Sequence, residues 1–242
     1  MRRVLVLASV LLFALAGSVS AASHRTTFFD DFNSQSPKWV ALYGPGDPGD
    51  RTETDMMGDL SQFSVANGVG TIRVERKATP SGRPFAAATI ATFGTFGQRY
   101  GTFEARIRFQ EAKGTWPAMF LLPVGSKSPY PEIDMFEAYG SPECEGPGFL
   151  TSATSTSATR NAWKAFIPAA SGQWHVHKIV WTRQRVTFYV DGVQTFSTTV
   201  SPQVAMYPII QHGIGANPLD CRSDSTTPDL LTMDIDYVRV TT

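Results

Sequence analysis

An all-β domain of two packed antiparallel sheets is the fold class this sequence predicts, and three observations lead there. Apolar residues recur mostly with period two, Gly, Pro, Asn and Asp punctuate the gaps, and no long stretch repeats at helical spacing with a cap. The 242 residues can bury one sizeable core, and an alternating chain of that length closes well as a sandwich.

Taken in order, the chain opens on "MRRVLVLASVLLFALAGSVSAAS", with two arginines, an apolar run from Val4 to Ala16 and small residues before Ala21. That order predicts a secretory signal peptide over residues 1–21 and a single domain over 22–242. A membrane anchor is the alternative, but the apolar run is shorter than the ~20 residues of a span. The expected product is secreted, extracellular or in the cell wall or periplasm, with no stable membrane association. "GTIRVERK" (Gly70 to Lys77), "GTFEARIRFQ" (Gly101 to Gln110), "HVHKIVWT" (His175 to Thr182), "RVTFYVDG" (Arg185 to Gly192) and "TMDIDYVRV" (Thr232 to Val240) each alternate as strands do. Asp191-Gly192 predicts a type I′ hairpin turn, so Asp191 reads as a turn residue. Loops are expected at Gly44 to Gly58, Ser81 to Pro84 and Ser141 to Gly148, and the polar run Thr151 to Arg160 is read with them. Such loops gather at strand ends and can wall a cleft.

Lys plus Arg equal Asp plus Glu at 21 each, which removes the charge excess that nucleic acid or an anionic membrane would attract. A neutral partner and a monomer are expected. Only Cys144 and Cys221 are present, too few for a zinc site. In an oxidising compartment they are expected to form a disulfide that staples loops.

"YPEIDMFEAYG" (Tyr130 to Gly140) concentrates three carboxylates in a strand-like run of a chain that is 17% charged. Strict alternation puts Glu132 and Asp134 on one face and Glu137 on the other, beside Ile133 and Met135. Burying an unpaired charge there is costly. A β-bulge around Met135 and Phe136 returns Glu137 to the face of the other two. Glu132 and Glu137 then lie about four strand steps apart, roughly 13 Å at ~3.3 Å per residue. Side chains leaning inward leave the carboxyls about 5 to 7 Å apart, near the ~5 to 5.5 Å of a retaining glycosidase pair. Asp134 between them couples the two titrations, favouring one ionised nucleophile and one protonated acid.

At this point the sequence resembles the glycoside hydrolase family 16 enzymes. The residues that carry the resemblance are "DDFN" (Asp30 to Asn33), "YGTFEARI" (Tyr100 to Ile107), "GTWPAMFLLP" (Gly114 to Pro123), "PEIDMFE" (Pro131 to Glu137), "FYVDGV" (Phe188 to Val193) and "DIDYVRV" (Asp234 to Val240), in the family's order. The resemblance implies a concanavalin-like β-jelly-roll sandwich of two antiparallel sheets with a substrate cleft on the concave face. It implies Glu132 as nucleophile, Glu137 as general acid/base and Asp134 as the helper that tunes the nucleophile, with no cofactor required for catalysis. The longer, bulged ExDxxE spacing points to the laminarinase-like endo-β-1,3-glucanases and marine galactanases rather than lichenases.

The same resemblance suggests substrate contacts at Trp116, whose alternative is core packing, and at Phe120, Arg99, Tyr100 and Gln211. It suggests a structural calcium held near Asp31, Gly68 and Asp236, where Asp236 could instead cap the last strand; oxygen-only ligands suit that ion. His175 and His177 read as structural. Phe120 stands where laminarinase-like members commonly carry Trp, and "LTSATSTSATR" and "QHGIGAN" depart from the family where it lines the cleft. Substrate choice is therefore open beyond a polysaccharide with internal β-linkages, β-1,3-glucan first. The alternatives are a transglycosylase on cell-wall glucan, an endo-galactanase, and a carbohydrate-binding lectin without chemistry.

Overall fold

The computed structural model describes residues 25–43, 54–127, 130–140, 149–167, 171–215 and 221–242. In chain order its strands are β1 (Thr26–Asp30), β2 (Val40–Ala41), β3 (Met56–Gly58), β4 (Phe63–Ala66), β5 (Val69–Arg76), β6 (Phe85–Ala87), β7 (Thr89–Ala91), β8 (Gly101–Phe109) and β9 (Thr115–Pro123). There follow β10 (Glu132–Ala138), β11 (Phe149–Ser155), β12 (Arg160–Phe166), β13 (His175–Trp181), β14 (Val186–Val190), β15 (Val193–Thr198), β16 (Met206–Ile214) and β17 (Leu230–Thr241). A 3-10 turn over Leu60–Gln62 is the helical element among the described residues.

Two sheets result. One runs β15-β14-β13-β8-β17-β5-β6-β3, with β1 also on β17 and β4 also on β5; the other runs β12-β11-β10-β9-β16-β7-β2. Each of the five alternating runs is a strand of the first sheet. The hairpin at Asp191-Gly192 has both central residues at positive φ, 50° and 80°, as a type I′ turn requires. Three expectations are corrected. The loop expected over Gly44 to Gly58 ends in strand β3, while residues 44–53 and the loop expected over Ser141 to Gly148 lie outside the described residues. Pairing is not wholly antiparallel, because β3 runs parallel to β6. The polar run after Thr151 is not all loop: it supplies most of β11 before turning into β12. Its small side chains fit a strand flanked by β10 and β12, where Ala153 and Thr154 are fully buried.

Between the sheets lies a core that joins Phe103, Ile107 and Ile179 of the first to Met119, Leu121, Ile133, Phe136 and Ile210 of the second. A separate apolar layer of Trp116, Ala118, Phe120, Leu122, Tyr207 and Ile209 covers the outer face of the second sheet, with Leu42 and Tyr43 packed on it. Strand β9 is thus buried on both sides, which explains why "TWPAMFLL" reads as a nearly unbroken apolar run. It gives β10 a fixed support.

β10 carries the bulge. Asp134 pairs with Phe120 and Phe136 with Met119, so one step on β9 matches two on β10 and Met135 is the extra residue. On the other side the step from Asp134 to Glu137 spans only Ala153 to Thr151. The Ser152 hydroxyl donates to the Met135 carbonyl at 3.0 Å, giving a partner to a group at the interrupted ladder. Phe136 turns inward, stacked on Phe109 at 5.5 Å and on the His177 ring at 4.1 Å between centroids.

Both histidines of "HVHKIV" have structural surroundings. His175 Nδ1 lies 2.6 Å from the turn residue Asp191, whose other oxygen accepts the Val176 N–H. His177 is buried, and neither ring nitrogen has a hydrogen-bond partner among the described residues. Burial, with His175 adding to it, holds the His177 imidazole neutral down to about 3, and burial holds His212 neutral down to about 4.

Two outcomes follow. The unfolded chain, with ordinary histidines near 6.5, binds more protons than the folded one below that pH. The stability these rings contribute is therefore complete above about pH 6.5 and lost as pH falls toward 4. Thermal melts across that window are expected to show Tm falling, and His177→Phe is expected to lose less; an equally steep fall in the variant rejects the assignment. Ser152→Ala is expected to lower stability by about 1–2 kcal/mol by leaving the Met135 carbonyl unpaired. Urea denaturation measures it, and an unchanged midpoint counts against the bond.

Candidate active site

The bulge decides which side chains share the outer face. Glu132 and Asp134 alternate onto it, the extra Met135 shifts the phase, and Glu137 and Tyr139 follow on the same side. Asp134 lies opposite Phe120 on β9 and Ala153 on β11, and Glu137 lies opposite Ala118 and Thr151. All three carboxylates therefore stand on the apolar layer instead of between the sheets. Asp134 and Glu137 are buried, at 4% and 8% exposure, whereas Glu132 at the strand's start is half-buried.

Glu137 has the most defined surroundings. The Trp116 indole N–H donates to its Oε1 at 3.1 Å, and the Tyr139 hydroxyl donates to the same oxygen at 3.2 Å. The Tyr139 ring stacks on Trp116 at 6.0 Å, so each ring fixes the other donor. Its second oxygen, Oε2, faces the Arg160 guanidinium on β12, with Nη2 at 3.5 Å. Donors to a carboxylate favour its charged form, and the negative neighbours Glu132 and Asp134 oppose that.

The five expected substrate contacts divide. Trp116, Phe120 and Gln211 lie on this outer face, where Gln211 on β16 pairs with Ala118, and a pocket is lined by Tyr43, Thr54, Met56, Thr89, Trp116 and Gln211. Trp116 is only 7% exposed and Phe120 4%; both rings pack in the outer layer, and the Trp116 indole also holds Glu137. Arg99 and Tyr100 meet other partners. The Tyr100 hydroxyl bonds Gln203 at 2.6 Å, its ring packs edge-on against Trp181, and the Arg99 guanidinium lies over that ring. Their described partners do not include the carboxylates.

The residues proposed for calcium lie at the other sheet. The Asp31 carboxylate accepts from the Asn33 backbone and side chain, and Gly68 sits beside Asn33. Asp236 pairs with Arg106 at 2.8 Å. Among the described residues no cluster of three or more His, Cys, Asp or Glu side chains could hold a metal. Cys221 is buried and disulfide-bonded; Cys144 lies outside the described residues, as does the leader.

Sequence reasoning missed Tyr139 and Arg160. Tyr139 was within reach, since it follows Glu137 by two and so shares its face. Arg160 was not, because only the pairing of β12 with β11 brings it beside the carboxylates.

Comparison with known proteins bears on the fold and the family. An endo-1,3-1,4-β-glycanase of Rhizobium meliloti is 28% identical over 190 residues, which is 74% of this chain and 39% of that protein. The chain therefore spans well under half of that relative. The laminarinase catalytic domain of Thermotoga maritima superposes with a TM-score of 0.79 at 21% identity, covering 90% of this chain and 98% of that one. The endo-β-1,3-glucanase of Pyrococcus furiosus gives 0.79 at 22% identity, covering 90% and 94%. Both share the jelly-roll sandwich described above. The family model for glycosyl hydrolases family 16 matches residues 52–239, and the chain belongs to that family.

Proposed function

We propose that this chain is a secreted, retaining endo-glycosidase that cleaves internal β-linkages of a neutral polysaccharide, β-1,3-glucan first. The observation that carries the reading is the bulge at Met135, which puts Glu137 on the face of Glu132 and Asp134 and against two hydrogen-bond donors. The names of the relatives support the substrate class, since the similar solved structures include a laminarinase and an endo-β-1,3-glucanase. The leader at residues 1–21 supports export.

In this mechanism Glu132 attacks the anomeric carbon while protonated Glu137 gives its proton to the departing glycosidic oxygen, so the C–O bond breaks as the leaving chain gains a hydrogen. Asp134, between them along the same face of β10, restrains Glu132 and keeps the negative charge of the cluster local. Ionised Glu137 then takes a proton from water, whose oxygen attacks the anomeric carbon and frees Glu132. Two inversions give net retention. No cofactor enters either step.

A structural calcium, if bound, would use the Asp236 carboxylate and main-chain oxygens near Asp31 and Gly68. It would share Asp236 with Arg106. It lies outside the chemistry and would contribute stability only.

Glu132→Gln is expected to keep the parent's circular dichroism and Tm and to lose roughly 10³-fold or more of its turnover of laminarin. Turnover within tenfold of the parent would reject Glu132 as nucleophile. Proton NMR of the first products should show the β-anomer; the α-anomer would make the enzyme inverting. EDTA is expected to lower Tm by about 2–4 °C, with recovery on added calcium. A Tm indifferent to both removes the metal.

A further inference from the structure

Glu137 has two carboxyl oxygens in different surroundings. Oε1 is held by the Trp116 indole N–H, which can only donate, and by the Tyr139 hydroxyl. The proton that leaves with the sugar is therefore better placed on Oε2. That oxygen faces Arg160, at the long distance of 3.5 Å. A guanidinium has no acceptor and does not deprotonate, so while it stays there it disfavours a proton on Oε2.

Among the described residues, each neighbouring element brings further groups to the face of Glu137. Its own strand supplies Glu132 and Asp134, with Tyr139 just beyond. β9 and β16 supply the uncharged Trp116, Ala118 and Gln211, and β11 supplies Thr151 and Ser155. β12 supplies Arg160. Arg160 stands on an edge strand with its side chain 54% exposed, and it also lines a groove with Asn161, Ala162 and Phe196. It has room to swing away from Oε2.

We propose that Arg160 is a positioning residue that acts through Glu137. It holds Oε2 ionised in the resting enzyme, and so sets the pH above which the polysaccharide is no longer protonated and cleaved. Displaced by the sugar chain, it lets Oε2 take up a proton from solvent and pass it to the glycosidic oxygen. Returning after the first step, it favours the ionised oxygen that takes the proton from water. This inference rests on the assignment of Glu137 as acid/base.

The test is the pH profile of kcat/KM on laminarin for the parent, Arg160→Gln and Arg160→Lys. Arg160→Gln is expected to move the alkaline limb upward by roughly 0.5 to 1 pH unit, the size of an opposite charge at this distance in partly wet surroundings. Arg160→Lys, which restores charge, is expected to bring the limb back toward the parent. A purely structural role would lower the whole profile without moving the limb. A limb unmoved in folded Arg160→Gln overturns the proposal. A parallel arm assays Glu137→Gln on laminarin and on a dinitrophenyl β-oligosaccharide whose leaving group needs no proton, read as the first-turnover burst of dinitrophenolate because the second step still uses Glu137 as base. Loss on laminarin with retention on the activated substrate upholds Glu137 as the acid and leaves the Arg160 result to be judged alone. Equal activity on both substrates removes Glu137 and this proposal with it.

Discussion

One inserted residue, Met135, governs the rest of the site. Without it Phe136 would point to the outer face and Glu137 into the layer formed by Phe109, His177 and Ile133. An unpaired carboxylate in such surroundings is penalised by several kcal/mol, more than the bulge disturbs in a ladder that Ser152 partly repairs. The bulge exchanges the two side chains. Phe136 enters an aromatic stack that joins the two sheets, and Glu137 enters a polar face that rests on Trp116 and Tyr139.

That exchange gives the polar face a rigid base. β9 is buried on both sides, so Ala118, Phe120 and Trp116 are positioned by packing on the inter-sheet core as much as by their own layer. A carboxylate placed on such a base keeps its geometry relative to its donors, which is what proton transfer needs. Arg160 contrasts with this. Its contact with Glu137 is long and half-exposed, and pairs of that kind contribute little to stability. Its value lies in the charge it brings to one oxygen.

Much of this was legible from the chain. Period-two runs located the strands of the larger sheet, Asp191-Gly192 located a hairpin, and the out-of-phase Glu137 implied the bulge, which the register of β10 with β9 and β11 contains. The run after Thr151 was not legible as a strand, because it lacks the alternation of apolar and polar residues that marks one. Its place between β10 and β12 makes it one. The contacts of Arg99 and Tyr100 with Gln203 and Trp181 were not legible either, since they arise from loop packing that no local pattern encodes.

By itself the sequence determined the class of fold, the phase error in "YPEIDMFEAYG" and its repair, and the resemblance that names the three carboxylates. These are local matters: a side chain's face follows from spacing along one strand, and a charge out of phase identifies itself. Only the tertiary structure decided what surrounds those carboxylates. Trp116 comes from the neighbouring strand, and Arg160 from the strand beyond the next. Such contacts depend on strand order and register, which bring distant residues together for reasons that lie in the packing of whole sheets.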